Sequence, residues 1–198
     1  MKRHLGLRMA LLAVALLVTK FGAFAKPLRL LLVADSDCGP FGFERARKHY
    51  NLGLDLEDKG DLDGAIAEYR MSIRECSLFW RSYLNLGVTL EDKGDLDGAI
   101  AQYLTVIGQW PENVLAHFDL GTALEHKGML DAAITEYRTA INGRNKFPEA
   151  HYHLGHVLQA KGDIDAAIAE YRTAIRQRRN YLEAQSAIAE ALKAKGKS

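Results

Sequence analysis

The chain has 198 residues, 48% of them apolar and 26% charged, with 26 Lys and Arg against 25 Asp and Glu. That mixture belongs to an ordinary folded domain and excludes collagen-like, coiled-coil and globally disordered chains. A net charge of +1 and two cysteines exclude a broadly basic nucleic-acid binder, a disulfide-rich scaffold and a zinc finger.

The balance hides an asymmetry at the N-terminus. Residues 1–25 hold Lys2, Arg3, Arg8 and Lys20 and no acid, which leaves 22 bases against 25 acids in the remainder. A basic start, an unbroken apolar run over 9–18 and the small residues Ala23 and Ala25 form the three-part layout of a secretory signal peptide. Cleavage is expected after Ala25, giving an exported protein, periplasmic or secreted, with no stable membrane insertion. The alternative is an uncleaved anchor, because residues 28–34 add apolar length; Lys20, Lys26 and Arg29 interrupt the roughly 20 apolar residues that a span needs. Residues 26–45 read as an irregular segment. In an oxidising compartment Cys38 and Cys76 have one intramolecular pairing open to them, a possible disulfide; the alternative is a free thiol and a small buried side chain.

From residue 46 onward one unit is written four times. Gly53, Gly87, Gly121 and Gly155 recur at one constant interval. Gly60, Gly94, Gly128, Gly162 and Gly196 keep the same interval, as do the alanines from Ala65 and the tyrosines from Tyr69. A fixed period of this size predicts stacked supersecondary units. Within a unit, Tyr83, Leu86 and Leu90 lie three and four apart, as do Ile100, Tyr103 and Ile107, so each unit predicts two amphipathic helices. Gly94 ends the first as a left-handed cap, and Asp95 and Asp97 are candidate N-caps for the second. Gly87 and Ala99 are expected to let two helix backbones approach closely.

These residues resemble the tetratricopeptide repeat, or TPR. Leu-Gly recurs at Leu52-Gly53, Leu86-Gly87, Leu120-Gly121 and Leu154-Gly155, and Ala-x-x-x-Tyr closes every unit. The leading aromatic is replaced by His49, His117 and His151, which are expected to pack in its place; Tyr83 keeps it. The second aromatic is Leu in all four units, and Pro111 alone stands where the family proline would. The resemblance implies an all-α fold, an α-solenoid of four antiparallel helix pairs in a right-handed superhelical array, with repeats at 46–79, 80–113, 114–147 and 148–181. Residues 182–198 are expected to form a capping helix.

The resemblance also assigns the first helices to a concave ligand face. Its predicted lining is Tyr50, Leu54, Leu84, Asn85, Val88, Phe118, Thr122, Tyr152 and His156, with an acidic shoulder of Glu57, Asp58, Glu91, Asp92 and Glu125. Such a groove fits a protein or peptide with apolar anchors and basic flanks. One TPR subclass clamps a terminal carboxylate, but its positions read Tyr50, Leu54, Asn85, Leu115 and Asp119 here, and only Asn85 agrees.

Catalytic chemistry has no foothold in the sequence. Each recurring glycine ends a helix or sits inside one, without the Gly-Lys-Ser/Thr of a phosphate loop, and no His-Glu-x-x-His or serine elbow occurs. Glu149, His153 and His156 can share a helix face, with His126 from the preceding repeat, but ordinary groove polarity accounts for them; no metal and no cofactor is expected. Low aromatic and basic density argues against a nucleic-acid platform. The expected function is a non-catalytic exported scaffold. The alternatives are a self-associating structural module, a homo-oligomer, and a histidine-based metal carrier.

Overall fold

The computed structural model describes residues 25–196. Its helices are α1 (Ala25–Asp58), α2 (Leu62–Glu75), α3 (Trp80–Asp92), α4 (Leu96–Gln109), α5 (Val114–His126), α6 (Leu130–Gly143), α7 (Pro148–Ala160), α8 (Ile164–Gln177) and α9 (Leu182–Lys195); no strand occurs among the described residues. The starts of α3, α5, α7 and α9 are evenly spaced along the chain, and those of α2, α4, α6 and α8 keep the same spacing. The residue period is therefore the period of the helices.

Local chemistry sets each boundary. Gly60, Gly94, Gly128 and Gly162 take φ of 75–88°, the left-handed geometry that stops a helix at least strain in glycine. Asp61, Asp95 and Asp163 then accept the amide of Gly64, Gly98 and Ala166, at 2.9, 2.9 and 3.2 Å, and open the second helix of the unit. The second aspartate has another task. Asp97 is not a cap: it pairs with Lys127 of the next repeat, and Asp63–Lys93, Asp131–Lys161 and Asp165–Lys195 repeat that contact along the array.

Each helix packs on its neighbours in sequence, and the first helices also touch one another, α3 on α5 and α5 on α7. That places them on the inside of the bend. Between the two helices of every unit stands a fully buried tyrosine, Tyr69, Tyr103, Tyr137 or Tyr171. The glycine opposite makes room for it: a Cβ on Gly87 would stand 2.4 Å from Tyr103 Cε1. The glycine thus admits a ring, and in the fourth repeat it also meets the facing backbone that the sequence suggested: a Cβ on Gly155 would stand 3.1 Å from the Ala167 carbonyl oxygen. Burying such rings supplies much of each unit's stability, at about 25 cal/mol per Å² of apolar surface.

One expectation for the N-terminal segment changes. Residues 26–45 are helical and not irregular; the helix breaks only at Gly39, with φ 62° and ψ 177°. The leucine-rich run before the break has high helix propensity. Beyond it, Cys38 is bonded to Cys76, their Cα atoms 4.4 Å apart, within a buried cluster with Ala46 and Phe79. Residues 1–24 of the expected signal peptide lie outside the described residues. No described helix is long and apolar enough to cross a membrane.

Candidate functional site: the concave face

The inner helices present a polar strip that is wired into the core. The hydroxyls of Tyr69, Tyr103 and Tyr137 donate to Glu57, Glu91 and Glu125 at 2.7, 2.7 and 2.6 Å. In the fourth repeat Tyr171 donates to Gln159 at 3.0 Å. The expected acidic shoulder is therefore split in role. Glu57, Glu91 and Glu125 are half-buried acceptors that anchor a core tyrosine, whereas Asp58 and Asp92 are exposed. Thr89 also donates to Glu57 across the repeat boundary.

Histidines complete the strip. Nδ1 of His153 and His156 lies 3.3 and 2.5 Å from the Glu125 carboxylate, and His126 Nδ1 lies 3.2 Å from Glu91. Burial raises the Glu125 carboxyl, but donation by His153, Tyr137 and His156 outweighs it and holds the group down at about 2. Asp119 moves the other way. Burial first and Glu91 second push its carboxyl up to about 7. The middle of the strip thus carries a carboxyl that is poorly solvated and already faces another negative charge.

The predicted lining residues separate into groups. Tyr50, Phe118 and Tyr152 are half-buried and packed. Tyr50 meets the rings of Tyr69 and Phe79 at 5.9 and 5.4 Å. Phe118 meets Phe147 at 4.9 Å and His153 at 5.5 Å, and Tyr152 meets Tyr181 at 5.3 Å. Leu84 is buried in the core, and Leu54 packs against it. Thr122 donates to the Phe118 carbonyl at 3.2 Å, and Asn85 approaches the Tyr69 hydroxyl at 3.5 Å. Val88 and His156 are the exposed members. Asp119 and His153, weighed in the sequence only as a clamp position and as a metal ligand set aside for ordinary groove polarity, belong to this strip; both stand in phase with Asn85, an expected lining residue.

The other histidines correct an expectation. His49, His117 and His151 are not aromatic fillers: each Nδ1 sits 2.6 Å from Glu68, Glu136 or Glu170. The second repeat has Tyr83 and Gln102 at these two positions. Both members of the pair change together, as a contact requires. Glu149 is turned away from His153 and His156 by its ion pair with Arg178. Among the described residues no three His, Cys, Asp or Glu side chains are grouped to hold a metal ion.

Paired helices repeated at one interval, with an inner face of first helices, define an α-solenoid built to expose an elongated surface. Family models of the tetratricopeptide repeat match residues 84–151 and 127–195, and the chain belongs to that family. Its fold is similar to that of MamA, at 29% identity and a TM-score of 0.67, over 73% of this chain and 85% of that one. A thermophilic TPR protein of Thermus thermophilus aligns at 21% identity and a TM-score of 0.65, over 76% of this chain and 83% of that one. YrrB, a TPR protein with an unusual peptide-binding site, aligns at 20% and 0.63, over 72% and 73%. No curated protein matches the chain in sequence.

Proposed function

We propose that the protein is a non-catalytic, exported interaction scaffold whose concave face holds a peptide segment of a partner, with basic groups against the acidic strip and an apolar anchor near Val88. The observation that carries this reading is the row of carboxylates on the inner face, where Glu57, Glu91 and Glu125 accept from core tyrosines and Asp119, its carboxyl raised by burial, also feels the charge of Glu91. A lysine or arginine placed there would relieve both the poor solvation and the like-charge repulsion. The unusual peptide-binding site of YrrB is consistent with a ligand of this class on this fold. Export is supported by the basic and apolar N-terminal pattern and by the Cys38–Cys76 bond, which suits an oxidising compartment.

The test is a titration of a labelled octapeptide of alternating leucine and lysine, followed by anisotropy. Asp119→Asn and Val88→Asp should each weaken binding several-fold while helicity stays constant. Equal affinity in all three proteins would refute the groove. For export, N-terminal sequencing of the native protein should begin at Lys26, and an intact Met1 in the soluble fraction would refute it. Leu182 and Leu192, exposed on α9, favour a second reading in which array ends pair. A mass that rises with concentration, and falls for Leu182→Glu, would support it.

A further inference from the structure

Every repeat makes the same slot on a different edge of the array, where its second helix ends beneath the start of its first. Two of the four slots are filled. In the first repeat Cys38 is bonded to Cys76, and Gly42 lies so close that a Cβ there would stand 2.6 Å from the Glu75 carbonyl oxygen. In the third, Val114 Cγ2 reaches to 2.6 Å from the Cβ position of Gly143. The second and fourth slots are open. Trp80, Gln109 and Trp110 frame a cleft of about 530 Å³. Pro148, Gln177 and Arg178, each two repeats further along the chain, frame one of about 300 Å³ that Arg144 and Lys146 complete.

The two open clefts differ in chemistry. The first is aromatic, with the Arg81 guanidinium 4.8 Å from the centre of the Trp80 ring. The second is basic. Arg144 lies over Phe147 and Arg178 over Tyr181, while Arg178 pairs with Glu149. Neither Arg144 nor Lys146 has an ion-pair partner among the described residues. Gln177 Oε1 is the one buried side-chain polar atom among them that lacks a hydrogen bond. The surroundings reinforce the contrast: residues 138–181 carry 8 bases and 4 acids, whereas residues 51–137 carry 16 acids and 6 bases.

We propose that this edge is a second docking surface, separate from the concave face, for an extended acidic segment of a partner protein. Its carboxylates lie against Arg144, Lys146 and Arg178, and an apolar side chain enters the cleft of Trp80 and Trp110. Charge complementarity selects an acidic segment. Gln177 Oε1, an acceptor in want of a donor, can take a backbone N–H of an extended segment. Two repeat steps of roughly 10 Å each correspond to about six extended residues between the two anchors.

Trp80 and Trp110 are the only tryptophans, so their emission reads the aromatic cleft without a label. The probes are acetylated decapeptides of two leucines, four serines and four glutamates, made in both orders. One of them should shift tryptophan emission saturably, with a Kd below about 1 mM. Arg144→Glu with Lys146→Glu should weaken it at least about tenfold, and Gln177→Leu by a smaller factor, at unchanged helicity. Val88→Asp should leave it unaltered. The proposal is overturned if emission does not move, if the charge reversals leave affinity unchanged, or if equimolar inorganic phosphate displaces the peptide. A salt-sensitive dimer of the protein alone, lost on charge reversal, would also overturn it by assigning the edge to a second copy.

Discussion

Gly87→Ala is expected to destabilise the protein although alanine is the better helix former. In an open helix the change gains about 1 kcal/mol. At Gly87 the new Cβ would stand 2.4 Å from Tyr103 Cε1 and 2.7 Å from Cζ, where carbon atoms prefer about 3.5–4.0 Å. The ring must retreat by more than about 1 Å, yet it is fully buried and its hydroxyl is held by Glu91 at 2.7 Å. Overpacking costs about 1–3 kcal/mol, and a hydrogen bond to a charged group contributes about 1.5–3 kcal/mol. The net loss is about 2–4 kcal/mol, a fall in Tm of roughly 5–15 °C for a chain of this size. Gly108→Ala is the control, because a Cβ there meets nothing within 4 Å. It should raise Tm by a few degrees. Calorimetry on both variants decides: an unchanged or higher Tm for Gly87→Ala would refute the tyrosine-into-glycine packing. In the double variant with Tyr103→Leu, the two losses should add to less than their sum.

Three further outcomes follow from the same geometry. Asp119 has its carboxyl raised from 3.8 to about 7, so its protonated form favours folding: that contribution is full below pH 4 and lost as pH rises through 7. Asp119→Asn should therefore raise Tm at pH 8 by several degrees and hardly at all at pH 4, as measured by thermal melts across pH. His117→Tyr with Glu136→Gln, which copies the second repeat, should be tolerated better than either change alone, with a coupling of about 0.5–1 kcal/mol in urea titrations. Reduction of the Cys38–Cys76 bond, which spans 38 residues, should cost up to about 4 kcal/mol, and Cys38→Ser should abolish the effect of reductant on Tm.

The architecture was legible because its signals are periodic and local. The glycine that stops a helix, the aspartate that starts the next and the leucines at spacings of three and four all act within one turn, so each occurrence confirms the others. What the sequence did not disclose lies in contacts between helices. Asp61 and Asp63 are equally good caps on paper; only the next repeat, by offering Lys93, separates a cap from an ion-pair partner. His49 resembles a substituted aromatic until Glu68, far along the chain on the second helix, is brought to 2.6 Å. The in-phase exchange to Tyr83 and Gln102 was a readable sign of that contact. The helix before Gly39 was missed for the opposite reason, since it belongs to no repeat and had only composition to announce it.

The concave lining could have been placed better from helix geometry alone. At about 100° per residue, with His49 as origin, the packing residues Gly53 and Leu56 fall at about 40° and about −20°. Tyr50 then lies about 100° away, on the flank, where large rings turn back toward the core. Phe118 and Tyr152 share its phase and are packed accordingly. The outward direction, on the far side of the helix from His49, belongs to the phases of Asn51, Leu54 and Asp58. Those phases place Asn85, Asp119 and His153 on the face, with Val88 and His156 beside them. The exposed or poorly solvated groups of the strip come from this set, while the residues chosen for aromatic size mostly buttress it. Aromatic anchors on a solenoid are therefore better sought by angle than by bulk. Here the angle leads to a carboxyl at Asp119 and a histidine pair on Glu125, a surface set by its charges more than by its aromatic rings.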